Sequence, residues 1–290
     1  MKPAPFTYHR AHTVAEGVSL LNELGENAKV LAGGQSLIPM MNFRLARPEH
    51  LVDITHIPML SEIEYSGEDM RIGSLVTHRA IETFDAKMPG SNIALLRAAM
   101  KFVGHYPIRT RGTIGGSIAH ADATAEWCIL AILLEAEISV VGTRGRRIIP
   151  AADMFYGLYT TALAPDEIIT HVSFPRHPGA GVIVEHAERQ GDFALAAVAA
   201  VVEYHDGIVT SGRVVVAGGG PVARRIFEAE ALLNQGEIAS ESLVNEVAAI
   251  CASVVEPTGD SNGSEAYRRT IIQQLVIKAM KEVTAHEYQR

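Results

Sequence analysis

The residues best placed to do chemistry in this chain are two glycine pairs with their neighbours: Ala32-Gly33-Gly34-Gln35-Ser36-Leu37, and Thr113-Ile114-Gly115-Gly116-Ser117 followed by His120 and Asp122. Adjacent glycines let a backbone turn sharply and aim successive N–H groups at one anion. Two such loops suit a ligand with two phosphates. Gln35, Ser36, Thr113 and Ser117 add amide and hydroxyl groups suited to phosphate or ribose oxygens. Neither loop has the Gly-x-Gly-x-x-Gly spacing of a dinucleotide-binding turn or the Gly-Lys-Ser/Thr ending of a P-loop, so both of those modes are excluded. Asp122 either accepts from a ribityl or ribose hydroxyl or caps the helix that starts near Ala125.

Other reactive side chains form no constellation. Cys128 and Cys251 are isolated among apolar residues and read as buried free thiols, with neither a disulfide framework nor a thiolate cluster. His105, His120, His171, His177 and His186 lack the helical i, i+4 spacing of a metalloprotease, and only His120 sits within a glycine-loop segment. Glu62, Glu64, Glu68 and Asp69 read as a solvated turn, and no catalytic triad or metal site is expected.

Several elements must position the loops. Thr13 to Leu24 carries apolar residues at near-helical spacing, with Thr13 as N-cap and Gly25 as stop. Lys29 to Ala32 reads as a buried strand running into the first glycine pair, and Leu51 to Ile54 as a second strand. Met70 to Gly73 is a strand, Leu95 to Val103 a helix that breaks before Pro107, and Ala125 to Leu134 an apolar helix. Strands at Glu137 to Val141 and Arg147 to Pro150 flank a turn, and a strand from Glu167 to Phe174 ends at a proline- and glycine-containing joint, Pro175 to Gly179. Beyond it come the apolar run Ala194 to Tyr204, a strand from Ile208 to Val216, the turn Ala217 to Pro221, and helices over Phe227 to Leu233, Ser240 to Ser253 and Glu265 to Ala285. This is an α+β order with no regular βαβ rhythm.

The chain has 290 residues, 48% hydrophobic, with 33 acidic against 25 basic side chains. That length suits two domains or one large one. A net charge of −8 without a basic run excludes a nucleic-acid footprint. The N-terminus lacks the apolar core of a signal peptide, and no apolar stretch is long and charge-free enough to span a bilayer. A soluble, cytoplasmic protein is expected.

Taken together, Ala32 to Met41, Arg44 to Pro48 and Leu51 to Ile54 resemble the first FAD-binding segment of the medium, flavin-binding subunits of molybdenum hydroxylases of the carbon monoxide dehydrogenase and xanthine dehydrogenase type. Ile108-Arg109, Thr113 to Asp122 and Glu126 resemble the family's second FAD segment. Thr161 to Ile168, Arg189 to Ala194 and Gly263 to Arg269 resemble its later landmarks, so the likeness spans nearly the whole chain. Tyr106-Pro107, Thr110 and Ala123 depart from the family's commonest residues.

The resemblance implies a two-lobed FAD-binding domain of the vanillyl-alcohol-oxidase-like (PCMH) type over residues 1–176, with lobes of about 1–56 and 57–176. A C-terminal α/β domain of the CO dehydrogenase flavoprotein type follows over 177–290. It implies non-covalent FAD, its pyrophosphate on the two glycine loops, Asp122 by the ribityl chain or flavin, Leu163 near the cofactor, and Asp192 with Phe193 approaching the isoalloxazine ring. It also implies partners: a small subunit with two [2Fe–2S] clusters and a large subunit with the molybdenum–molybdopterin cofactor, assembled as a dimer of heterotrimers. FAD would relay electrons from the iron–sulfur subunit to NAD, a quinone or oxygen. Two other readings stay open, a free-standing FAD-dependent oxidase of a small substrate and a non-catalytic nucleotide-binding module.

Overall fold

The computed structural model describes residues 2–66, 69–85 and 92–285. In chain order the elements begin with β1 (Thr7–Arg10), α1 (Val14–Leu24), β2 (Ala28–Leu31), α2 (Leu37–Asn42), β3 (His50–Asp53), β4 (Ile63–Ser66), β5 (Asp69–Gly73) and α3 (His78–Glu82). Then come α4 (Ile93–Ala99), α5 (Tyr106–Arg109), α6 (Ile114–His120), α7 (Glu126–Leu133), β6 (Glu137–Gly142), β7 (Gly145–Pro150), β8 (Phe155–Gly157), β9 (Thr160–Thr161) and β10 (Ile168–Phe174). The last are β11 (Ala180–His186), β12 (Ala196–His205), β13 (Ile208–Ala217), β14 (Arg224–Arg225), α8 (Phe227–Leu233), β15 (Glu237–Ile238), α9 (Glu241–Val254) and α10 (Glu265–Ala285). The chain forms two compact units. The first comprises Met1–Phe84, His105–Ala121 and Ala136–Pro175, and the second Asp85–Gly104, Asp122–Glu135 and Arg176–Arg290.

The first unit holds three sheets, the smallest being the two-stranded β8–β9 hairpin. In one, β1 and β2 flank β3, all parallel. Helix α1 covers this sheet, burying Val18 and Leu21 with Val52 and Ile54 in a common cluster. Its start is fixed by Thr13, whose hydroxyl accepts from the Glu16 N–H at 3.1 Å, and its end by Gly25 at φ +63°. Thr13→Ala leaves that N–H without its cap and is expected to cost about 1 kcal/mol, read as a lowered urea midpoint. The second sheet has the order β4-β5-β10-β6-β7, antiparallel throughout. Helix α6 packs against β5 and β10.

The second unit is built on an antiparallel sheet, β11-β12-β13-β14, with β15 added to β13. Helix α10 packs on β11 and β12, α8 on β13 and α9, and α7 on β12 and β13. In β12, Ala196, Val198, Ala200 and Val202 join the cluster made with α9 and α10, and Ala197, Ala199 and Val201 are buried as well. Both faces of that strand are covered, which is why its sequence is an unbroken apolar run without alternation. Cys128 and Cys251 are buried free thiols, as expected.

Two expectations need correction. The helix at 95–103 runs instead over Ile93–Ala99. The acidic stretch is not simply a turn: Ile63–Ser66 and Asp69–Gly73 pair as strands, with Glu64 opposite Arg71 at 3.7 Å, while Glu68 lies outside the described residues. Cross-strand charge pairing explains acidic residues in a strand that composition alone assigns to solvent. Among the described residues no helix is long and apolar enough to cross a membrane.

Candidate functional site

The first glycine pair leaves the carboxyl end of β2, on the parallel sheet of the first unit. The carboxyl ends of parallel strands are where open α/β sheets take ligands. Gly34 has φ +71°, a left-handed turn that a side chain would strain. The Gln35 amide donates back to the Gly33 carbonyl at 2.9 Å, which shapes the loop before α2 begins at Leu37. Residues Ala32 to Leu37 are all half-buried. The backbone N–H groups of Gly33, Gly34, Gln35 and Ser36 donate to no acceptor among the described residues. Four consecutive main-chain donors left over beside a left-handed glycine are the groups from which an anion-binding nest can be built.

The second pair is built differently, and here the expectation of anion-directed N–H groups fails. Gly115 and Gly116 lie in the first turn of α6, and Thr113 is its N-cap. The Ile114 N–H donates to the Val76 carbonyl at 3.1 Å and Gly115 to Ser74 at 2.9 Å. Gly116 donates to the Thr113 hydroxyl at 3.1 Å and Ser117 to the Thr113 carbonyl at 3.0 Å. Helix capping and the 74–76 backbone have taken these donors. The glycines serve close packing: a Cβ on Gly115 would lie 2.5 Å from the Ser74 Cβ and 2.8 Å from its carbonyl oxygen.

The two segments nevertheless meet. A Cβ on Gly33 would stand 2.1 Å from the Arg111 carbonyl oxygen and 2.9 Å from the Gly112 Cα, and one on Gly116 would stand 4.0 Å from the Ala32 Cβ. Gly112 in turn leaves room for His78, whose Nε2 lies 2.7 Å from where a Cβ would be. Burial, with help from the Arg109 charge, pushes the His78 imidazole down to about 4, so it packs as a neutral ring. Ser74, His78, Arg111 and Gly112 thus form the floor under the loops. Sequence motifs single out none of these four; the one available signal is the glycine at 112, directly before the cap Thr113.

At the far end of α6, His120 stacks on Tyr159 with ring centroids 4.7 Å apart and an angle of 27°. Ala121 (φ +53°) and Tyr159 (φ +57°) are both left-handed, and the Tyr159 N–H donates to the Ala121 carbonyl at 3.1 Å. Non-glycine residues held left-handed are uncommon, so this junction is locally strained. Leu163 follows, its N–H at 3.3 Å from the Thr161 hydroxyl. The adjoining Ala162 and Ala164 are held by the Arg147–Glu167 pair: Arg147 donates to the Ala162 carbonyl at 2.7 Å and Glu167 accepts from the Ala164 N–H at 2.8 Å.

Asp122, Asp192 and Phe193 belong to the second unit. The capping alternative for Asp122 is not realised: its carboxylate accepts from the Thr124 N–H (2.9 Å) and hydroxyl (3.0 Å), and α7 starts at Glu126 with Ala125 as its N-cap and no side-chain cap bond. Near it, burial and then the Glu185 and Asp122 charges push the Glu126 carboxyl up to about 8. Burial also pushes Glu185 up to about 7 against the pull of Lys101. Folding therefore takes up a proton at Glu126 between its ordinary value of 4.5 and about 8. The stability it contributes is full below the lower value and is lost as pH rises through the upper one. Glu126→Gln should flatten the dependence of the urea midpoint on pH and stabilise the chain above about pH 8. Asp192 donates its N–H to the Arg189 carbonyl at 3.1 Å, and Phe193 is 74% exposed. Among the described residues no group of three or more His, Cys, Asp or Glu side chains is placed to hold a metal.

A parallel-sheet lobe bearing a donor-rich glycine loop, a second lobe bearing a glycine helix, and a C-terminal sheet covered by helices define an α+β fold with one loop suited to an anionic ligand. Residues 4–177 match the family described as the FAD binding domain in molybdopterin dehydrogenase, and residues 184–283 match the CO dehydrogenase flavoprotein C-terminal domain. The chain belongs to the FAD-binding medium-subunit family of the molybdenum hydroxylases. It is 36% identical to the nicotine 6-hydroxylase medium subunit of Paenarthrobacter nicotinovorans, over 98% of this chain and 99% of the relative. A carbon monoxide dehydrogenase structure from Hydrogenophaga pseudoflava aligns with a TM-score of 0.94 at 34% identity, over 98% of this chain and 99% of the other. Quinoline 2-oxidoreductase from Pseudomonas putida 86 aligns with a TM-score of 0.94 at 30% identity, over 99% of both chains.

Proposed function

We propose that this chain holds one FAD non-covalently and works in the cytoplasm as the flavin subunit of a molybdenum-containing hydroxylase. Its partners would be a small subunit with two [2Fe–2S] clusters and a large molybdopterin subunit, in a dimer of heterotrimers. The observation that carries the reading is the run of four unengaged N–H groups from Gly33 to Ser36, a cradle for the FAD diphosphate. Ser36 and Ser117 offer hydroxyls to the same ligand, and Thr113, Ile114, Gly115 and Gly116 shape the wall against which the first loop rests. His120 and Leu163 border the cofactor, and Asp122, Asp192 and Phe193 remain assigned to its ribityl and ring portions. FAD, when bound, supplies the redox chemistry, taking electrons from the iron–sulfur subunit and passing them to NAD, a quinone or oxygen. What this chain supplies is binding, orientation and shielding. The family matches at 4–177 and 184–283 support a domain boundary near 176–177.

The test is purification of the chain with its partners. One FAD per chain, and flavin bleaching when the substrate of the large subunit is added, is the expected result. Absence of FAD from the full assembly would sink the reading.

A further inference from the structure

The loop between β11 and β12, residues 187–195, carries Asp192 and Phe193 and is anchored by an unusual buried group. Its neck is closed by the Leu195 N–H, which donates to the His186 carbonyl at 2.8 Å. The Leu195 carbonyl points inward and is hemmed from two sides. A Cβ on Gly218 (φ +77°) would lie 2.3 Å from that oxygen and 2.9 Å from the Ala196 Cα. From α10, Arg268 reaches it with Nη1 at 2.9 Å. The same guanidinium donates through Nη2 to Asp260 at 2.7 Å, and its Nε is buried with no acceptor among the described residues. The Arg268 side chain is only 10% exposed.

Arg268 is itself placed by the motif Gly263-Ser264-Glu265-Ala266-Tyr267-Arg268. Ser264 caps the start of α10, its hydroxyl accepting from the Tyr267 N–H at 3.2 Å and its carbonyl from Arg268 at 2.9 Å. Asp260 is fixed by accepting from the Asn262 N–H at 2.8 Å. A buried arginine with an orphaned donor is a costly way to fill space, and an apolar side chain of similar volume would avoid the desolvation. What the arginine adds is geometry, since a planar fork can hold two acceptors at a fixed separation. By contrast, neighbouring Arg269 donates, among the described residues, to the Ala252 (2.6 Å) and Val255 (2.7 Å) carbonyls at the end of α9, a helix-capping role.

We propose that Arg268, braced by Asp260, is a positioning residue that sets the pose of loop 187–195 and, through Phe193, tunes the flavin. The second half rests on the assignment of Asp192 and Phe193 to the flavin.

The test uses the assembled enzyme with Arg268→Lys and, as the milder variant, Asp260→Asn. Amide hydrogen exchange is followed for residues 187–195, with the flavin absorption spectrum and midpoint potential measured alongside. Retained FAD, exchange in the loop faster by about tenfold or more, and a flavin shift that disappears in a Phe193→Ala background would support the proposal. Unchanged loop exchange in both variants would overturn it. A flavin shift of equal size with and without Phe193 would overturn the tuning half. If Phe193→Ala alone leaves spectrum and potential unaltered, the flavin assignment of Phe193 fails and the tuning half falls with it. The exchange result then still decides whether Arg268 sets the loop.

Discussion

Gly33→Ala should strip the assembled enzyme of most of its FAD and lower its melting temperature together. The new Cβ would fall 2.1 Å from the Arg111 carbonyl oxygen. That oxygen is main chain, so no rotamer change can relieve the clash, and the Arg111–Gly112 segment must part from the first glycine loop. Overpacking of this kind costs roughly 1–3 kcal/mol. In a chain of this size each kcal/mol is worth about 2–4 °C. The four N–H groups from Gly33 to Ser36 move with the backbone that presents them, so FAD occupancy at limiting cofactor should fall by about tenfold or more. Flavin absorbance per chain and a thermal melt check both effects. Gly220→Ala is the matched control, since a Cβ there meets nothing within 4 Å and should change neither reading. Full FAD retention with an unshifted melt would contradict both the contact and the assignment.

This expectation differs from the one the sequence suggests. Read as letters, Gly33 and Gly115 are small so that a ligand can come close. In the fold, what comes close is the protein's own backbone, at Arg111 and at Ser74. Which of two Gly-Gly pairs keeps its N–H groups for a ligand depends on whether the turn enters a capped helix. Thr113 caps α6 and Ser36 makes no side-chain cap to α2, although both are hydroxyl residues beside a glycine pair. Local sequence does not fully distinguish them, because two of the four donors, those of Ile114 and Gly115, are taken by Val76 and Ser74 from a distant segment, while Thr113 takes the other two. The cradle was legible as a pair of candidates, and the structure assigns the free N–H groups to one.

Elsewhere the legible elements are those whose signal is local. Thr13 and Ser240 cap their helices as their residue types indicate, and α8 begins and ends where its apolar spacing does. The elements that composition hides are short. Helix α2 carries Pro39, tolerated because it lies in the first turn, and α5 carries Pro107 near its start for the same reason. The β8–β9 hairpin depends on Tyr159 adopting a left-handed conformation that nothing in a tyrosine announces. The long likeness to the medium-subunit family bridged these gaps, since motif order fixes a fold that periodicity leaves open.

The second unit offers the sharpest test of its own packing, and Glu230→Leu should destabilise it by roughly 3–5 kcal/mol. Glu230 lies on α8, 4% exposed, and its carboxylate accepts from Arg225 Nε at 2.9 Å and Nη2 at 2.6 Å. Its Oε1 also accepts from the Val214 N–H at 3.2 Å. Arg225 reaches on to Glu135, which Arg213 also holds at 2.8 Å, so two arginines share two carboxylates. Only Glu230 of the two carboxylates is buried, Glu135 being 51% exposed. Leucine at 230 would leave the half-sequestered Arg225 charge to an exposed, solvent-screened partner and leave the Val214 N–H without its acceptor. Trp127, the chain's one tryptophan and fully buried in α7, reports on this unit, so urea unfolding followed by its fluorescence measures the loss. Replacing the pair together, Arg225→Met with Glu230→Leu, removes the stranded charge as well as its partner and should recover much of the loss. Phe227, beneath the guanidinium at 4.9 Å, would then pack against methionine instead of a cation. If the single and double variants unfold at the same urea concentration, the penalty lies in the lost Val214 bond and not in the unpaired arginine.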